Sequence, residues 1–265
     1  MIGAIIGDVV GSRFEFCNCK SKKFEMFNKA CRFTDDSVMT VAVAKALYPY
    51  ENISDYKKFK KELIEVMHMV GAKYPRCGYG GRFRIWMKER CTEPYNSFGN
   101  GSAMRVSPVG WFANSLGECE NLAAATAEVT HNHPEGVKGA VAVAGAIYLA
   151  RQGATIDEIR EYAKNYYTID FSLDEIREEY KFYEICQKSV PQAFEAFFES
   201  TSFEDAIRNA ISIGGDSDTI AAITGSIAEA YYGADDDMKD TALSYLDSYL
   251  LGIAENFVNK FIDKE

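Results

Sequence analysis

The sequence predicts an all-α fold. Most segments repeat their apolar residues with a helical period, and no run of β-branched residues alternates with polar ones between turn signals. Alanine and glycine recur along several of these segments, which permits close helix packing. One helical bundle is therefore expected. With no low-complexity linker, composition break or fixed-period repeat, it should form a single domain over residues 1–265.

The chain opens with Gly7-Asp8-Val9-Val10-Gly11-Ser12-Arg13-Phe14-Glu15. Gly7 and Gly11 are four apart and could give a helix a flat face. Asp8 and Glu15 could share a side, or Glu15 is simply solvated. The next helices are expected over Asp35–Leu47 and Ser54–Val70, the latter with Ser54 as N-cap. Leu116–Thr130 and Pro134–Arg151 follow, parted by His131-Asn132-His133. Then come Ile156–Tyr166, Leu173–Phe182, Pro191–Phe198, Phe203–Ile213, Ser217–Tyr232 and Met238–Phe261.

Composition bounds the function. Hydrophobic residues are 47% and charged residues 26% of the chain, as in soluble globular proteins. A formal net charge of -10 argues against general nucleic-acid binding, which needs a basic surface. The seven cysteines include no CxxC pair, so neither a disulfide framework nor a zinc site is suggested. The longest apolar run, Gly139 to Ala150, is too short for a bilayer, and the start lacks a basic signal region. A cytoplasmic monomer is the expectation.

Phe33-Thr34-Asp35-Asp36-Ser37 and Gly214-Gly215-Asp216-Ser217-Asp218-Thr219 each precede an apolar helix. Either one alone reads as an N-cap, where acidic residues suit the positive helix end. Together they offer Thr34, Asp35, Asp36, Asp216, Asp218 and Thr219, a set of hard oxygen donors suited to Mg²⁺, Mn²⁺ or Ca²⁺ rather than zinc. Four carboxylates crowded without a cation would repel each other and take up protons. Ser97-Phe98-Gly99-Asn100-Gly101-Ser102-Ala103-Met104-Arg105 is a glycine-rich turn entering a helix. It reads as an anion cradle of backbone N–H groups or as a plain Asn-Gly turn. It lacks the Walker pattern. Of the histidines, His68 sits on a helix and reads as a packed residue, whereas His131 and His133 lie in a turn, where ligand contact is commoner.

In their order along the chain the five motifs, with Thr130-His131-Asn132-His133-Pro134 as the fourth, resemble the ADP-ribosylglycohydrolase family, which includes the dinitrogenase reductase-activating glycohydrolases. The resemblance runs from Gly3 to Gly233. Each motif is weak alone, and five in one order are specific. The resemblance implies an all-α, orthogonal helical bundle with a dinuclear metal cleft holding two Mg²⁺, for which Mn²⁺ could substitute. Thr34, Asp35 and Asp36 would face Asp216, Asp218 and Thr219 across the ions. The Ser97–Gly101 loop, with Ser102 and Met104 behind it, would bind the diphosphate and its ribose. His131 would lie near the adenosine half, and Gly78, Tyr79 and Gly80 would line the cleft. Glu15 would sit near the distal ribose as base or positioner, with Asp35 and Asp216 also at the chemistry. The implied partner is an ADP-ribosylated protein or a small ADP-ribosyl conjugate. Arginine-linked ADP-ribose ranks first, ahead of serine-linked or O-acetyl-ADP-ribose. A non-catalytic, crystallin-like role and a metal-dependent phosphoesterase are the competing readings. Ser102 departs from the commoner glycine or alanine at its position. The stretch from Asp170 to Ser200 is short for the family, which implies reduced loops on the leaving-group side.

Overall fold

The computed structural model describes residues 1–263, and among them there is no β-strand. The fold is all-α. The first helix, α1 (Ile2–Gly11), is buried along its whole length. It lies against α13 (Ser217–Tyr232), and glycine makes that approach feasible. A Cβ on Gly7 would stand 2.1 Å from the Ala221 carbonyl oxygen, and one on Gly11 would stand 2.5 Å from Asp218 Cα. Ile5, Ile6 and Val9 are fully buried beside this contact. Each such side chain stabilises the fold by about 1.5–3 kcal/mol.

Thr34 caps α2 (Asp35–Leu47) by accepting from the Asp36 N–H, as one of the two sequence readings has it. The third helix, α3 (Tyr56–Gly71), starts later than expected, because Asp55 rather than Ser54 accepts from the Lys58 N–H. Of three short helices with no clear period, α5 (Gly101–Met104) is the helix the glycine-rich turn enters, whereas α4 (Gly81–Lys88) and α6 (Ser107–Phe112) have no sequence signal. Two long ones, α7 (Leu116–Glu128) and α8 (Pro134–Arg151), lie where the period puts them, followed by α9 (Ile156–Lys164).

The expected helix Leu173–Phe182 is only one turn, α10 (Leu173–Ile176). Lys20 Nζ donates to the carbonyls of Arg177 (2.6 Å), Tyr180 (2.9 Å) and Ile213 (2.7 Å), so the chain leaves the helix to meet it. Next, α11 (Cys186–Phe198) begins before the expected Pro191 and carries that proline inside. Burial of Val190, Phe194 and Phe197 holds the turn that proline would otherwise weaken. After α12 (Phe203–Ser212) and α13, the expected Met238–Phe261 is two helices, α14 (Asp236–Leu243) and α15 (Ser248–Phe261). Asp247 divides them by capping the N–H groups of Tyr249 and Leu250. No helix of the described residues is long and apolar enough to cross a membrane.

Candidate active site

The N-termini of α2 and α13 meet beside the C-terminal end of α1, so the two acidic motifs converge. Asp8, buried on α1, organises the first. Thr34 donates to it from N (2.9 Å) and Oγ1 (2.7 Å), and Ser37 donates from N (3.0 Å) and from its hydroxyl. Thr219 Oγ1 then donates to Asp36 Oδ2 across the junction at 3.3 Å. Carboxylate oxygens of Asp8, Asp36 and Asp218 lie within 4.8 Å of one another, as do those of Glu15, Asp216 and Asp218.

The second motif owes its shape to Gly214 and Gly215, both at positive φ (69° and 77°), a region that L side chains rarely adopt. Asn18 reads the Gly215 backbone on both sides, accepting from its N–H (2.9 Å) and donating to its carbonyl (3.0 Å). That clamp ties the segment after α1 to the loop before α13 and brings Glu15 to Asp216 and Asp218. Asp216 is the residue before α13, and Asp218 is in its first turn.

The electrostatics of this junction are severe. Burial pushes Asp35, Asp36 and Asp218 well above the usual carboxylate range, and mutual repulsion adds to it. Burial takes Asp216 to about 7. Glu15 also rises to about 7, chiefly by burial and then by the Asp218 charge, with Arg32 opposing. Asp36 Oδ1 is buried with no hydrogen-bond partner. An oxygen-only donor set, a surplus of negative charge and an orphaned buried carboxylate oxygen fit a hard divalent cation. Asp8 was not singled out as a metal-site residue in the sequence. Its oxygens already accept four hydrogen bonds, so it holds the Thr34 loop rather than facing a cation.

These carboxylates form one end of a cleft of about 260 Å³. Asp35, Asp36, Asp216, Asp218 and Thr219 line it, together with Glu15. Thr34 stands behind them, buried against Asp8. Gly78 and Gly80 also line it. A Cβ on Gly78 (φ 106°) would come within 2.8 Å of Asp35 Oδ1. Tyr79 between them turns inward onto Phe83 instead.

Ser97, Gly99, Asn100, Gly101 and Met104 line the middle of the cleft. Asn100 Nδ2 donates to Asp216 Oδ2 at 2.7 Å, which joins this loop to the acidic end. Two other members of the motif point elsewhere. Ser102 donates to the Gly136 carbonyl (2.6 Å), and Phe98 packs on His133. At the far end are His131, Tyr95, Arg82 and Arg105. Arg82 lies over the Tyr95 ring at 4.9 Å. Burial and the Arg105 charge hold His131 well below its usual range, so its ring is neutral. Arg82, Tyr95 and Glu184 were not picked out from the sequence. Glu184 arrives through a single bridge between Gly99 and Ile185, a pairing with no sequence period to announce it.

Comparison with known proteins bears on this geometry. The family model described as ADP-ribosylglycohydrolase matches residues 1–264. The ADP-ribosylhydrolase ARH3 of Homo sapiens is 25% identical, with 89% of this chain and 85% of that protein covered. The ADP-ribosylarginine hydrolase Tri1 of Pseudomonas putida is 27% identical, covering 88% and 69%. The ADP-ribosyl-[dinitrogen reductase] glycohydrolase of Rhodospirillum rubrum is 24% identical, covering 89% and 85%. A solved structure titled ADP-ribosylglycohydrolase-related protein complex superposes with a TM-score of 0.71 at 20% identity, covering 97% of this chain and 94% of that one. That likeness supports the all-α fold.

Proposed function

The chain belongs to the ADP-ribosylglycohydrolase family and is a hydrolase, and on that premise we propose that it cleaves ADP-ribose from arginine side chains in a divalent-metal-dependent reaction. The observation that carries this reading is one cleft with an oxygen-only acidic junction at one end and a glycine-rich turn beside His131 at the other. Thr34, Asp35, Asp36, Asp216, Asp218 and Thr219 would hold two Mg²⁺ ions, and Mn²⁺ could replace them. Bound there, the cations would supply Lewis-acid polarisation and neutralise the charge of the junction.

The remaining work falls to the protein's own groups. The Ser97–Gly101 turn and His131 bind the diphosphate and its ribose, which directs the distal ribose toward Glu15. Cleavage at the anomeric carbon passes through an oxocarbenium-like state. Water adds as the bond to the acceptor nitrogen breaks, the Glu15 carboxylate accepts the water's proton, and that proton passes on to the departing guanidine.

A cationic acceptor suits this end of the cleft. Glu184 lines it with Glu15, and Phe16, next in sequence to Glu15, stacks on Phe182 with centroids 6.0 Å apart. Phe16 is 80% exposed, and among the described residues no cation of the chain covers either ring. Exposed aromatic faces beside carboxylates favour a guanidinium. The relative named as an ADP-ribosylarginine hydrolase supports that choice. The test is a panel of arginine-, serine- and O-acetyl-linked ADP-ribose, with Mg²⁺ or EDTA, followed by mass analysis. Release of intact ADP-ribose from the arginine conjugate, abolished by EDTA, is expected. Preference for the serine conjugate would overturn the acceptor assignment. Release of AMP would make the protein a phosphoesterase.

A further inference from the structure

Arg105 is the largest fully buried side chain, and it makes no ion pair among the described residues. Its Nε has no partner, and its Nη2 donates to the Thr126 carbonyl (3.0 Å) and to Thr130 Oγ1 (2.8 Å). Thr130 Oγ1 lies 2.8 Å from His131 Nδ1. Among the described residues that hydroxyl makes no other hydrogen bond. A hydroxyl has one proton to give. With a guanidinium N–H filling one lone pair, the arrangement that uses the hydroxyl proton has Thr130 donating to Nδ1. The alternative, Nδ1–H donating to Thr130, would orphan the hydroxyl proton and aim two donors at one oxygen beside a buried positive charge. The opposite face of the ring is free for the cleft. Nε2 lies against the glycine turn, 3.5 Å from where a Cβ on Gly99 would stand and 3.3 Å from one on Gly101.

We infer that Thr130 and Arg105 are positioning residues that lock His131 as the Nε2–H tautomer, so that it donates to a diphosphate or ribose oxygen seated on the Gly99–Gly101 turn. Arg105 orients the threonine hydroxyl, the threonine fixes the ring, and the ring presents one N–H where an anion would sit. The bound anion also supplies the countercharge that Arg105 lacks within the protein. Burial and the Arg105 charge keep the ring from becoming an imidazolium, which would have to point a second proton at Thr130. The ligand half of this inference rests on the reading that ADP-ribose occupies the cleft, and the tautomer half does not.

The test uses ¹⁵N-labelled full-length protein and long-range ¹H–¹⁵N spectra of the histidine rings, with His131→Gln to assign the signals. Wild type should show His131 protonated at Nε2 and bare at Nδ1, unchanged between pH 8 and 6. Thr130→Val should lose this fixed signature and weaken ADP-ribose binding by at least about 10-fold in calorimetry, with Thr130→Ser restoring both. An Nδ1–H or doubly protonated ring in wild type would overturn the relay whether or not the valine variant folds. Wild-type affinity in a folded Thr130→Val would overturn it as well. A wild type that holds the Nε2–H form yet binds no ADP-ribose would support the relay and overturn the nucleotide reading of the cleft.

Discussion

Glu15 differs from Asp8, Asp36 and Asp216 in what it has left to do. Asp8 is saturated by four hydrogen bonds, Asp216 accepts from Asn100, and Asp36 accepts from Thr219. Among the described residues the Glu15 side chain makes no hydrogen bond. It is half-buried, and it lines the cleft. A base that must take a proton and pass it on has to be free in this way. Glu15→Gln keeps the shape and removes the basicity, so kcat should fall by at least about 10²-fold while ADP-ribose affinity changes much less. Its thermal midpoint should not drop, because removing a charge beside Asp218 relieves repulsion. Single-turnover assays separate the chemical step from product release. Wild-type single-turnover rates in the variant would move the proton to one of the aspartates.

At the scale of elements, the site is a consequence of one helix pair. The Asp216–Thr219 turn is placed by α13, and α13 is placed by its contact with α1. Gly7→Ala adds a helix-favouring residue, worth about 1 kcal/mol in an exposed helix. Here the new Cβ would stand 2.1 Å from the Ala221 carbonyl oxygen, and backbone cannot swing aside. The net effect should be a loss of about 2 kcal/mol or more, read as a lower urea midpoint, together with weaker Mg²⁺ binding. A stabilised Gly7→Ala protein would show that the two helices can part without cost. This pair also shows what the sequence could reveal. The four-residue spacing of Gly7 and Gly11 implied a flat helix face, and the acidic motifs stood directly before apolar helices, so the sequence marked both helix faces and helix starts. The segment from Arg177 to Ile185 is different. Its path is set by Lys20, some 157 to 160 positions away, capturing the Arg177 and Tyr180 carbonyls. No local period carries that information, so the expected helix overran and Glu184 went unnoticed. Tyr95 and Arg82 escaped for a related reason, because their loop and short helix have no strong apolar repeat.

The whole molecule carries a net charge of -10 and buries much of its most crowded negative charge in one junction. In EDTA this makes stability depend on pH in a definite direction. Glu15 and Asp216 are raised to about 7, and Asp35, Asp36 and Asp218 are raised well above the carboxylate range. A carboxyl whose pKa is raised on folding binds more protons folded than unfolded. Its contribution is fully present below the unfolded value of about 4 and is lost as pH rises through the folded value. The buried histidines work the other way. His68 and His131 are lowered, so their contribution is present above about 6.5 and is lost as pH falls below it. They act equally with and without metal, and they cancel when the two stability curves are subtracted. The difference between Mg²⁺ and EDTA should therefore grow from pH 5.5 to pH 8. At a free Mg²⁺ of about 100 times Kd it should reach about 2.7 kcal/mol per site. For a chain of this size that is a rise in thermal midpoint of about 5–10 °C. Asp36→Asn should reverse the balance. It removes one buried charge and so stabilises the protein in EDTA, while most of the Mg²⁺-dependent rise disappears. An Asp36→Asn protein that is destabilised in EDTA yet still gains the full rise in Mg²⁺ would show that the aspartate is a structural cap and that the cation, if bound, is held elsewhere.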